Sequence, residues 1–385
     1  MLRLTSLSFA HPVVASDHRS ALSLAGDDLE SAHGRLARLG LPTFLMSTCL
    51  RVEIAWAGGP EWVDEVMTSL YGSAPVPDIG VIRQDEEAFA HLCRIAAGLD
   101  SPVVGEPEVL VQFRHAVAVA NESSRGMGSL GKVLEAAVGV GRTARRRMEP
   151  APAGSLATLA ADAAATFERV AVLGAGAMAR AAAGQLDGAE VSVFSRRPAN
   201  VAGIETRPWA QALDAIATYP AVISTIPGTE PLFPGVDVGH SLSRREAPLL
   251  LIDLGMPPGF GRPAGMGPVS YMGVDEVASS VSNRPPAEME EHVIDSATSA
   301  WRHLASSDLA GEVIATMLSH AETAVTEEVE RFAARLAAAP DPEPVLRQLA
   351  HTVARRVLHP PISYIGSAEQ QTVEMLAKAF GVKDG

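Results

Sequence analysis

The sequence has few cysteines, no long apolar run and no excess of positive charge. Its 385 residues include two cysteines, Cys49 and Cys93, which supply neither a disulfide framework nor a cysteine-rich zinc site and suit a reducing compartment. No apolar run approaches the roughly 20 residues that span a bilayer, and the first residues lack the pattern of a signal peptide. The net charge of −14 argues against nonspecific nucleic-acid binding through the overall field. We therefore expect a cytoplasmic protein that is not embedded in a membrane.

The chain is long enough for two or three domains, and its 47% hydrophobic content is typical of a globular protein. A proline-rich stretch at 149–154 predicts the first domain boundary, and Pro285 with Pro286 predicts the second. From 287 to 339 the sequence has no proline and one glycine, Gly311, which predicts a helix about 80 Å long. We expect domains at residues 1–150, 151–285 and 286–385.

Two shorter helices are predicted after the long one, near residues 345–358 and 368–380. Apolar residues recur at helical spacing along the long helix, and little companion structure follows to cover them. We therefore expect the C-terminal helices to bury their apolar faces against a second subunit in a homodimer.

A dinucleotide-binding signature opens the second predicted domain. An apolar run at 170–173 is followed by residues 174–179, Gly-Ala-Gly-Ala-Met-Ala, so G-x-G-x-x-A stands between a strand and a helix. Glycines allow the backbone to approach a pyrophosphate, which the helix N-terminus attracts. Further strands are predicted at 191–194, 221–224 and 249–252, and their alternation with helices indicates a parallel, doubly wound sheet. The loop residues expected to bind the cofactor are Gly174, Ala175, Gly176, Ala177 and Met178.

The second strand of this region ends at Ser195, Arg196 and Arg197. An acidic residue there would bind the ribose hydroxyls of NAD, whereas arginine accommodates the 2′-phosphate of NADP. We therefore expect these three residues to bind NADPH. The alternative is that the arginines are solvated loop residues without a ligand.

Cys49 lies in the segment Ser-Thr-Cys-Leu-Arg-Val-Glu-Ile at 47–54. A thiolate suits attack on an acyl ester, because the resulting thioester can accept a hydride. Arg51 shares a face of an extended segment with Cys49, and its guanidinium would bind a substrate carboxylate and favour the thiolate. The thiol, the guanidinium and the nicotinamide fold together predict reduction of an activated carboxyl group to an aldehyde. The alternatives are a buried structural cysteine and a surface ion pair between Arg51 and Glu53.

A basic segment at 142–147 contains four arginines and fits two interpretations. It would bind RNA as a local patch in an acidic chain, or it would be a solvated helix end where cations complement the helix dipole. The histidines His11, His115 and His359 form no metal-ligand spacing with other residues, so we expect no bound metal.

These motifs resemble those of the bacterial glutamyl-tRNA reductase family over about residues 40 to 365. The cysteine segment is similar to the family's S-T-C-N-R-x-E. Residues 98–106, Gly-Leu-Asp-Ser-Pro-Val-Val-Gly-Glu, are similar to its G-L-D-S-x-x-x-G-E block. The loop at 174–178 matches G-A-G-x-M, and residues 274–276 and 358–361 also fall where the family has similar segments.

The resemblance implies an N-terminal α/β catalytic domain that binds glutamyl-tRNA, a Rossmann-like NADP-binding domain, and a long spinal helix with a helical dimerisation domain. It implies that Cys49 takes the glutamyl group from tRNA as a thioester, which NADPH reduces to glutamate-1-semialdehyde in the first step of 5-aminolevulinate and tetrapyrrole synthesis. Glutamyl-tRNA, a second subunit and glutamate-1-semialdehyde aminomutase are the implied partners. The implied catalytic residues are Cys49 and His91, and the implied substrate-binding residues are Thr48, Arg51, Ser101, Glu106, Glu108 and Gln112.

The sequence departs from the family pattern at several positions. Leu50 replaces an asparagine beside the cysteine, Glu108 stands where glutamine is usual, and Val111 stands where glycine is usual. The N-terminal segment around residues 6–11 is also altered. Two further hypotheses therefore stay open: a paralogue that reduces another aminoacyl-tRNA or acyl donor in a specialised pathway, and a non-catalytic homologue that binds tRNA or a partner protein.

Overall fold

A computed structural model of the chain describes residues 2–72, 79–123, 126–148, 154–226, 242, 245, 247–260, 268–281 and 284–381. The chain divides into two compact units, Leu2–Leu304 and Ala305–Gly385. The predicted boundary near residue 150 lies outside the described residues, so the division into three domains stays a prediction.

The first unit begins with an antiparallel sheet. Its strands are β1 (Thr5–Ala10), β2 (Thr43–Ser47), β3 (Arg51–Trp56) and β4 (Val81–Gln84), in the order β2-β3-β1-β4. Neighbouring residues of a strand point to opposite faces, so β3 carries two sets of side chains. Val52, Ile54 and Trp56 pack into an apolar core. Arg51 and Glu53 are also buried, on the other face.

Helices cover both faces of this sheet. They are α1 (Ser16–Leu22), α2 (Gly26–Ala37), α3 (Val63–Tyr71), α4 (Asp85–Ala97), α5 (Pro107–Ser123) and α6 (Gly128–Arg147), with a 3-10 turn at Pro60–Trp62. The core around Ile54 includes Leu36 of α2 and Val66 of α3. On the opposite face Phe44 contacts Phe113 of α5, with ring centroids 5.0 Å apart. The charged side chains of β3 are therefore enclosed by helices rather than exposed to water.

A parallel sheet follows in the same unit. Its strands are β5 (Arg169–Leu173), β6 (Glu190–Ser195), β9 (Arg207–Pro208), β10 (Ala221–Ser224), β11 (Leu249–Asp253) and β12 (Val269–Gly273), while β7 (Asn200–Val201) and β8 (Ile204–Glu205) pair as a separate hairpin. The order is β12-β11-β10-β5-β6-β9, with parallel neighbours throughout. This confirms the predicted parallel sheet. The strand order reverses beside β5, and ligands of such sheets bind at the carboxyl ends of the strands there.

Both faces of the parallel sheet are buried, which explains the continuous apolar runs of its strands. The covering helices are α7 (Leu156–Ala164), α8 (Ala177–Gln185), α9 (Ala212–Thr218) and α10 (Val274–Ser279), with a 3-10 turn at Trp209–Gln211. Val172 and Ile223 pack on the face of α7, α8 and α10, and Val222 and Leu251 on the face of α9. Leu50, from the turn between β2 and β3, belongs to the first of these clusters. The cysteine segment therefore packs directly on the parallel-sheet region.

Helix α11 (Ala287–Ala338) confirms the long helix predicted from residue 287. The second unit contains the part of α11 from Ala305 onward, together with α12 (Glu343–Ile365) and α13 (Gln370–Ala379). The sequence predicts that the first of these two shorter helices ends near residue 358, before Pro360 and Pro361. The helix instead runs through both prolines, and Gly366, whose N–H donates to the Ile362 carbonyl at 3.2 Å, follows its end.

The helices of the second unit bury a small core and expose many apolar side chains. Ala324 and Phe332 are buried, and Arg356 pairs with Glu328 at 3.0 Å. Among the described residues, no helix is both long enough and apolar enough to cross a membrane. Exposed apolar side chains of this unit include Val313, Ile314, Met317, Leu318, Ile362 and Met375.

Candidate active site

Cys49 lies in the tight turn between β2 and β3, and Thr48 shapes this turn. The Thr48 N–H donates to the Arg51 carbonyl at 2.8 Å. The Thr48 hydroxyl oxygen accepts from the N–H groups of Leu50 and Arg51, each at 3.3 Å. Arg19 donates from Nη2 to the Cys49 carbonyl at 3.4 Å. The backbone on both sides of the thiol is therefore held by hydrogen bonds.

The half-buried Cys49 side chain opens into a cavity of about 120 Å³. One wall comes from the antiparallel-sheet region, and the other comes from the start of α8, with Ala177, Met178 and Ala181. Leu50 also contributes an apolar surface to this cavity. The structure brings together here the predicted residues Thr48, Cys49, Arg51, Ser101, Glu106, Glu108 and Gln112.

The loop that carries Ser101 and Glu106 is closed by two glycines. Gly98 ends α4 with a φ of 73°, in the left-handed region that favours glycine. The Gly105 N–H donates to the Gly98 carbonyl at 2.9 Å, and a Cβ atom on Gly98 would lie 3.1 Å from the Gly105 Cα. The sequence block Gly-Leu-Asp-Ser at 98–101 is therefore a tight loop that turns Ser101 and Glu106 toward Cys49.

The Cys49 thiol has an unusual electrostatic environment. Burial, with a smaller contribution from the negative charge of Glu106, raises the pKa of Cys49 to about 11, while Arg19 and Arg51 oppose this rise. Burial, with a smaller contribution from the charge of Glu108, raises the pKa of Glu106 to about 7. Hydrogen bonding from Ser101 and the charge of Arg51 oppose it. The thiol is therefore mainly protonated at neutral pH, and Glu106 takes up a proton more readily than an ordinary glutamate.

Arg51 is buried, with 3% of its surface exposed. Its Nη2 donates to the Asp100 carbonyl at 2.6 Å. Its Nη1 lies 3.7 Å from Glu53 Oε1 and has no hydrogen-bond partner among the described residues. The ion pair with Glu53 exists, but it is buried rather than on the surface. The Nη1 atom is itself buried.

His91 lies beside Glu53 rather than in the wall of the Cys49 cavity. Its Nε2 is 3.0 Å from Glu53 Oε2, and the Ser8 hydroxyl donates to Glu53 Oε1 at 2.9 Å. His91 lines a second cavity, of about 460 Å³, which shares Arg51 with the first. A role of His91 in the reaction therefore stays a prediction, and the contacts favour a role in orienting Glu53 and Arg51.

Sequence reasoning missed a charged cluster that joins the two sheet regions. Asp275, at the start of α10, lies 2.5 Å from Arg19 Nη2 and 3.2 Å from His11 Nδ1, and it accepts from the Ser16 N–H at 2.9 Å. Although burial raises it, the hydrogen bonds from His11 and Arg19 hold the pKa of Asp275 below its ordinary value. Because Arg19 also contacts the Cys49 carbonyl, Asp275 supports the cysteine turn from the parallel-sheet region. The signal available in the sequence was the Val-Asp-Glu segment at 274–276.

The glycine loop after β5 fits a dinucleotide. Gly174 has a φ of 122°, and a Cβ atom there would lie 2.4 Å from Thr225 Oγ1. Gly176 begins α8, and a Cβ there would meet no atom within 4 Å, so a pyrophosphate has room at the helix N-terminus. A cavity of about 630 Å³ lies beside this loop. Its lining includes the predicted residues Gly174, Ala175, Gly176, Ser195, Arg196 and Arg197.

Consecutive residues of the glycine loop and the start of α8 line the two cavities. Residues 174–176 line the larger cavity, while Ala177 and Met178, also predicted to bind the cofactor, line the cavity of Cys49. Arg196 and Arg197 are exposed. Among the described residues, no group of three or more His, Cys, Asp or Glu side chains could hold a metal ion.

A Rossmann sheet whose glycine loop borders a cysteine-containing cavity defines a nicotinamide-dependent oxidoreductase. The family model described as "Glutamyl-tRNAGlu reductase, N-terminal domain" matches residues 7–148, and "Glutamyl-tRNAGlu reductase, dimerisation domain" matches residues 290–382. The chain belongs to the glutamyl-tRNA reductase family, as the motifs predicted.

Relatives of this family align over nearly the whole chain. The glutamyl-tRNA reductase of Aromatoleum aromaticum is 25% identical over 96% of this chain and 95% of its own length. That of Xanthomonas campestris pv. campestris is 27% identical over 95% of this chain and 90% of its own length. The solved structure "Glutamyl-tRNA Reductase from Methanopyrus kandleri" is 21% identical, with 98% of this chain and 97% of that chain covered and a TM-score of 0.49.

Proposed function

We propose that the protein reduces glutamyl-tRNA to glutamate-1-semialdehyde with NADPH through a thioester on Cys49. The observation that carries this proposal is a cavity lined by Cys49, Arg51 and the start of α8. Membership of the family supports the same reaction.

In this mechanism the Cys49 thiolate attacks the ester carbonyl, and the bond between the carbonyl carbon and the ribose oxygen breaks. The ribose oxygen gains a proton in exchange for the one that the thiol has lost, so the tRNA leaves with a free ribose hydroxyl and the acyl group remains on sulfur. A reduced nicotinamide supplies, when bound, a hydride for the acyl carbon. Loss of the sulfur from that carbon then gives the aldehyde and restores the thiolate.

The chain's own residues position the acyl group. Arg51 lines the cavity, and we propose that its guanidinium binds the side-chain carboxylate of glutamate. The charges of Arg19 and Arg51 favour the thiolate, but burial and the charge of Glu106 outweigh them and keep the pKa of Cys49 above its ordinary value. Thr48 holds the turn that presents the thiol, and its hydroxyl stays a predicted substrate contact.

We propose NADPH rather than NADH as the cofactor. The residues around the glycine loop leave room for a pyrophosphate, and Arg196 and Arg197 lie in the same cavity. Their positive charges would bind a 2′-phosphate, which NADH lacks. NADPH binding would place its pyrophosphate at the N-terminus of α8.

Three further parts of the proposal concern partners. Arg142, Arg146 and Arg147 are exposed at the end of α6 and offer positive charge for tRNA, while the helix-dipole interpretation explains the same residues without RNA.

The exposed apolar side chains of α11 to α13 support a homodimer, which the molecular mass in solution would test. Charged tRNA is cytoplasmic, so we propose that the reaction takes place in the cytoplasm. The aminomutase that consumes the aldehyde stays a proposed partner.

A paralogue with a different acyl donor is the second candidate. Leu50 is buried, with 7% of its surface exposed, and it packs against the parallel-sheet core. It gives the cavity an apolar surface where the family has an amide. This position therefore offers the substrate no hydrogen bond, and substrate identity depends on the charged residues around it.

A single-turnover assay separates the candidates. The protein is mixed with NADPH and a panel of charged tRNAs, and the aldehyde is trapped and measured. The proposed function predicts aldehyde from glutamyl-tRNA in preference to the others. Preference for an aminoacyl group without a side-chain carboxylate would favour the paralogue, and no aldehyde from any member would favour the non-catalytic homologue.

A further inference from the structure

The connecting segment, residues 11–19, holds the turn that carries the thiol. The His11 N–H donates to the Leu50 carbonyl at 2.9 Å. The Arg19 side chain, which is 1% exposed, donates from Nη2 to the Cys49 carbonyl at 3.4 Å. Two successive carbonyl groups of the cysteine turn are therefore held by this one segment.

Asp275 holds the same segment from the parallel-sheet region. Its carboxylate accepts from Arg19 Nη2 at 2.5 Å and from the Ser16 N–H at 2.9 Å, and it lies 3.2 Å from His11 Nδ1. Asp275 lies in the first turn of α10, and Val277 of the same helix is fully buried in the core of the parallel sheet. One carboxylate of the parallel-sheet region thus fixes the segment that holds the cysteine turn.

An apolar contact joins the same two regions. Leu50 belongs to the buried cluster of the parallel sheet, and Cys49 packs against that cluster. Apolar packing has no preferred direction, whereas hydrogen bonds to a carboxylate require a defined distance and angle. The contacts of Asp275 therefore define where the turn lies on the parallel-sheet region, and the packing of Leu50 adds attraction without that precision.

The two steps of the proposed reaction make different demands on this connection. Thioester formation uses Cys49 and the predicted substrate residues of the same cavity, all of which belong to the antiparallel-sheet region. In the second step the acyl carbon accepts a hydride from NADPH, which becomes NADP⁺, and the carbon–sulfur bond breaks to give the aldehyde and the thiolate. The glycine loop predicted to bind NADPH belongs to the parallel-sheet region. Hydride transfer alone therefore requires the two regions to be held in a fixed relation.

We propose that Arg19 and Asp275 are positioning residues for hydride transfer, because their ion pair holds the thioester-bearing turn against the region that carries the cofactor loop. This proposal rests on the proposed function and assigns one step of it to two residues. The described residues that line the Cys49 cavity include neither of them, so both act through the turn. Reacting atoms must lie about 3–3.5 Å apart, and a misplacement of about 1 Å costs roughly a hundredfold in rate.

The two partners should differ in their effect on thioester formation. Burial raises the pKa of Cys49, and the positive charge of Arg19 opposes that rise. Asp275→Asn removes the carboxylate that offsets this positive charge, so the thiolate is favoured and thioester formation should not slow. Arg19→Gln removes the positive charge itself and should slow both steps. Asp275→Asn is therefore the variant that separates positioning from activation of the thiol.

The first experiment measures the two steps separately. The enzyme is mixed with glutamyl-tRNA without NADPH, and thioester formation is followed by intact mass after an acid quench. Saturating NADPH is then added to the acylated enzyme, and aldehyde is measured over time. Asp275→Asn should form the thioester at least as fast as the wild type and reduce it roughly tenfold or more slowly. Asp275→Glu, which keeps the carboxylate, should recover most of the rate of reduction.

The matched control is Glu61→Gln. Glu61 pairs with Arg3 at 2.9 Å, and both residues belong to the antiparallel-sheet region, so this variant loses an ion pair that does not join the two regions. It should match the wild type in both steps. Equal slowing of both steps by Asp275→Asn would show general damage to the fold and overturn the inference, as would reduction at the normal rate. A wild type that forms no thioester would instead contradict the proposed function.

Hydrogen exchange measured by mass spectrometry tests the connection without turnover. In Asp275→Asn the amides of residues 11–19 and 47–51 should exchange severalfold faster than in the wild type, because the segment loses its hold on the parallel-sheet region. Glu61→Gln should leave the exchange of these residues unchanged. Unchanged exchange in Asp275→Asn would overturn the inference even if the wild type forms both the thioester and the aldehyde.

Discussion

The cavity of Cys49 and the cavity beside the glycine loop are lined by consecutive residues of the chain but differ in how their charges are buried. Around Cys49, Arg51 and Glu106 are buried, and their effects on one another and on the thiol are not screened by water. Around the glycine loop, Arg196 and Arg197 are exposed. A buried charge that loses its partner is costly, whereas an exposed one exchanges its partner for water. Substitutions in the cavity of Cys49 should therefore change activity much more than substitutions in the cavity beside the glycine loop.

The largest effect is expected from Cys49→Ser. A hydroxyl at its ordinary pKa is a far weaker nucleophile than a thiolate, so aldehyde formation should be abolished while the fold is kept. Single-turnover assays and circular dichroism would measure both. Cys93→Ala is the matched control, because Cys93 is fully buried in α4 and does not line the Cys49 cavity. Substantial aldehyde formation by Cys49→Ser would contradict the thioester.

The next largest effect is expected from Arg51→Lys. Lysine keeps the charge but lacks the fork of guanidinium donors, and the Asp100 carbonyl loses its 2.6 Å hydrogen bond. We expect kcat/KM for glutamyl-tRNA to fall by roughly ten- to a hundredfold, or about 1.5–3 kcal/mol. Cys49 should still react with iodoacetamide, which shows that the thiol survives. Turnover of glutamyl-tRNA at the normal rate would show that Arg51 does not bind the substrate carboxylate.

Asp275→Asn tests the connection between the two regions. The hydrogen bonds that lower the pKa of Asp275 stabilise its ionised form in the folded protein. That stabilisation is present above the ordinary aspartate pKa of about 4 and is lost as the pH falls below it. The substitution should lower the free energy of unfolding by about 1–3 kcal/mol at pH 7.

Chemical denaturation at several pH values would measure this effect of Asp275→Asn. The difference from the wild type should shrink as the pH is lowered below about 4. A difference that stays constant with pH would mean that the charge of Asp275 does not stabilise the fold.

The smallest effect is expected from replacing Arg196 and Arg197 together with Ala. Exposed ion pairs contribute roughly 0.2–1 kcal/mol each, so the KM for NADPH should rise by several-fold and that for NADH much less. Steady-state kinetics with both cofactors would measure the difference. Equal changes for NADPH and NADH would show that neither arginine binds the 2′-phosphate. The exposed charges beside the glycine loop would then have no role in the choice of cofactor.

The sequence predicted the features that depend on local patterns. The strands at 170–173, 191–194, 221–224 and 249–252 appear as β5, β6, β10 and β11, because buried parallel strands are continuous apolar runs. The long helix was visible as a span without proline. The neighbours of Cys49 in the cavity were predicted as a set through the family motifs rather than through spacing alone.

The features that the sequence did not predict depend on contacts between distant residues. Asp275 and Arg19 are 256 positions apart, and Glu53 and His91 are 38 apart. Neither pairing leaves a periodic signal. The strands β1 and β4 were also missed, since each is defined by the partner strand beside it. Burial of Leu50 in the parallel-sheet core became visible only once the two regions were placed together.

Mass spectrometry of the acylated enzyme tests the central claim most directly. The protein would be incubated with glutamyl-tRNA in the absence of NADPH, and the intact mass and the peptides would be measured under acidic conditions that preserve thioesters. The account predicts one glutamyl group on Cys49, which disappears when NADPH is added as the aldehyde forms. Aldehyde formation without an adduct on Cys49, or an adduct on another residue, would contradict it.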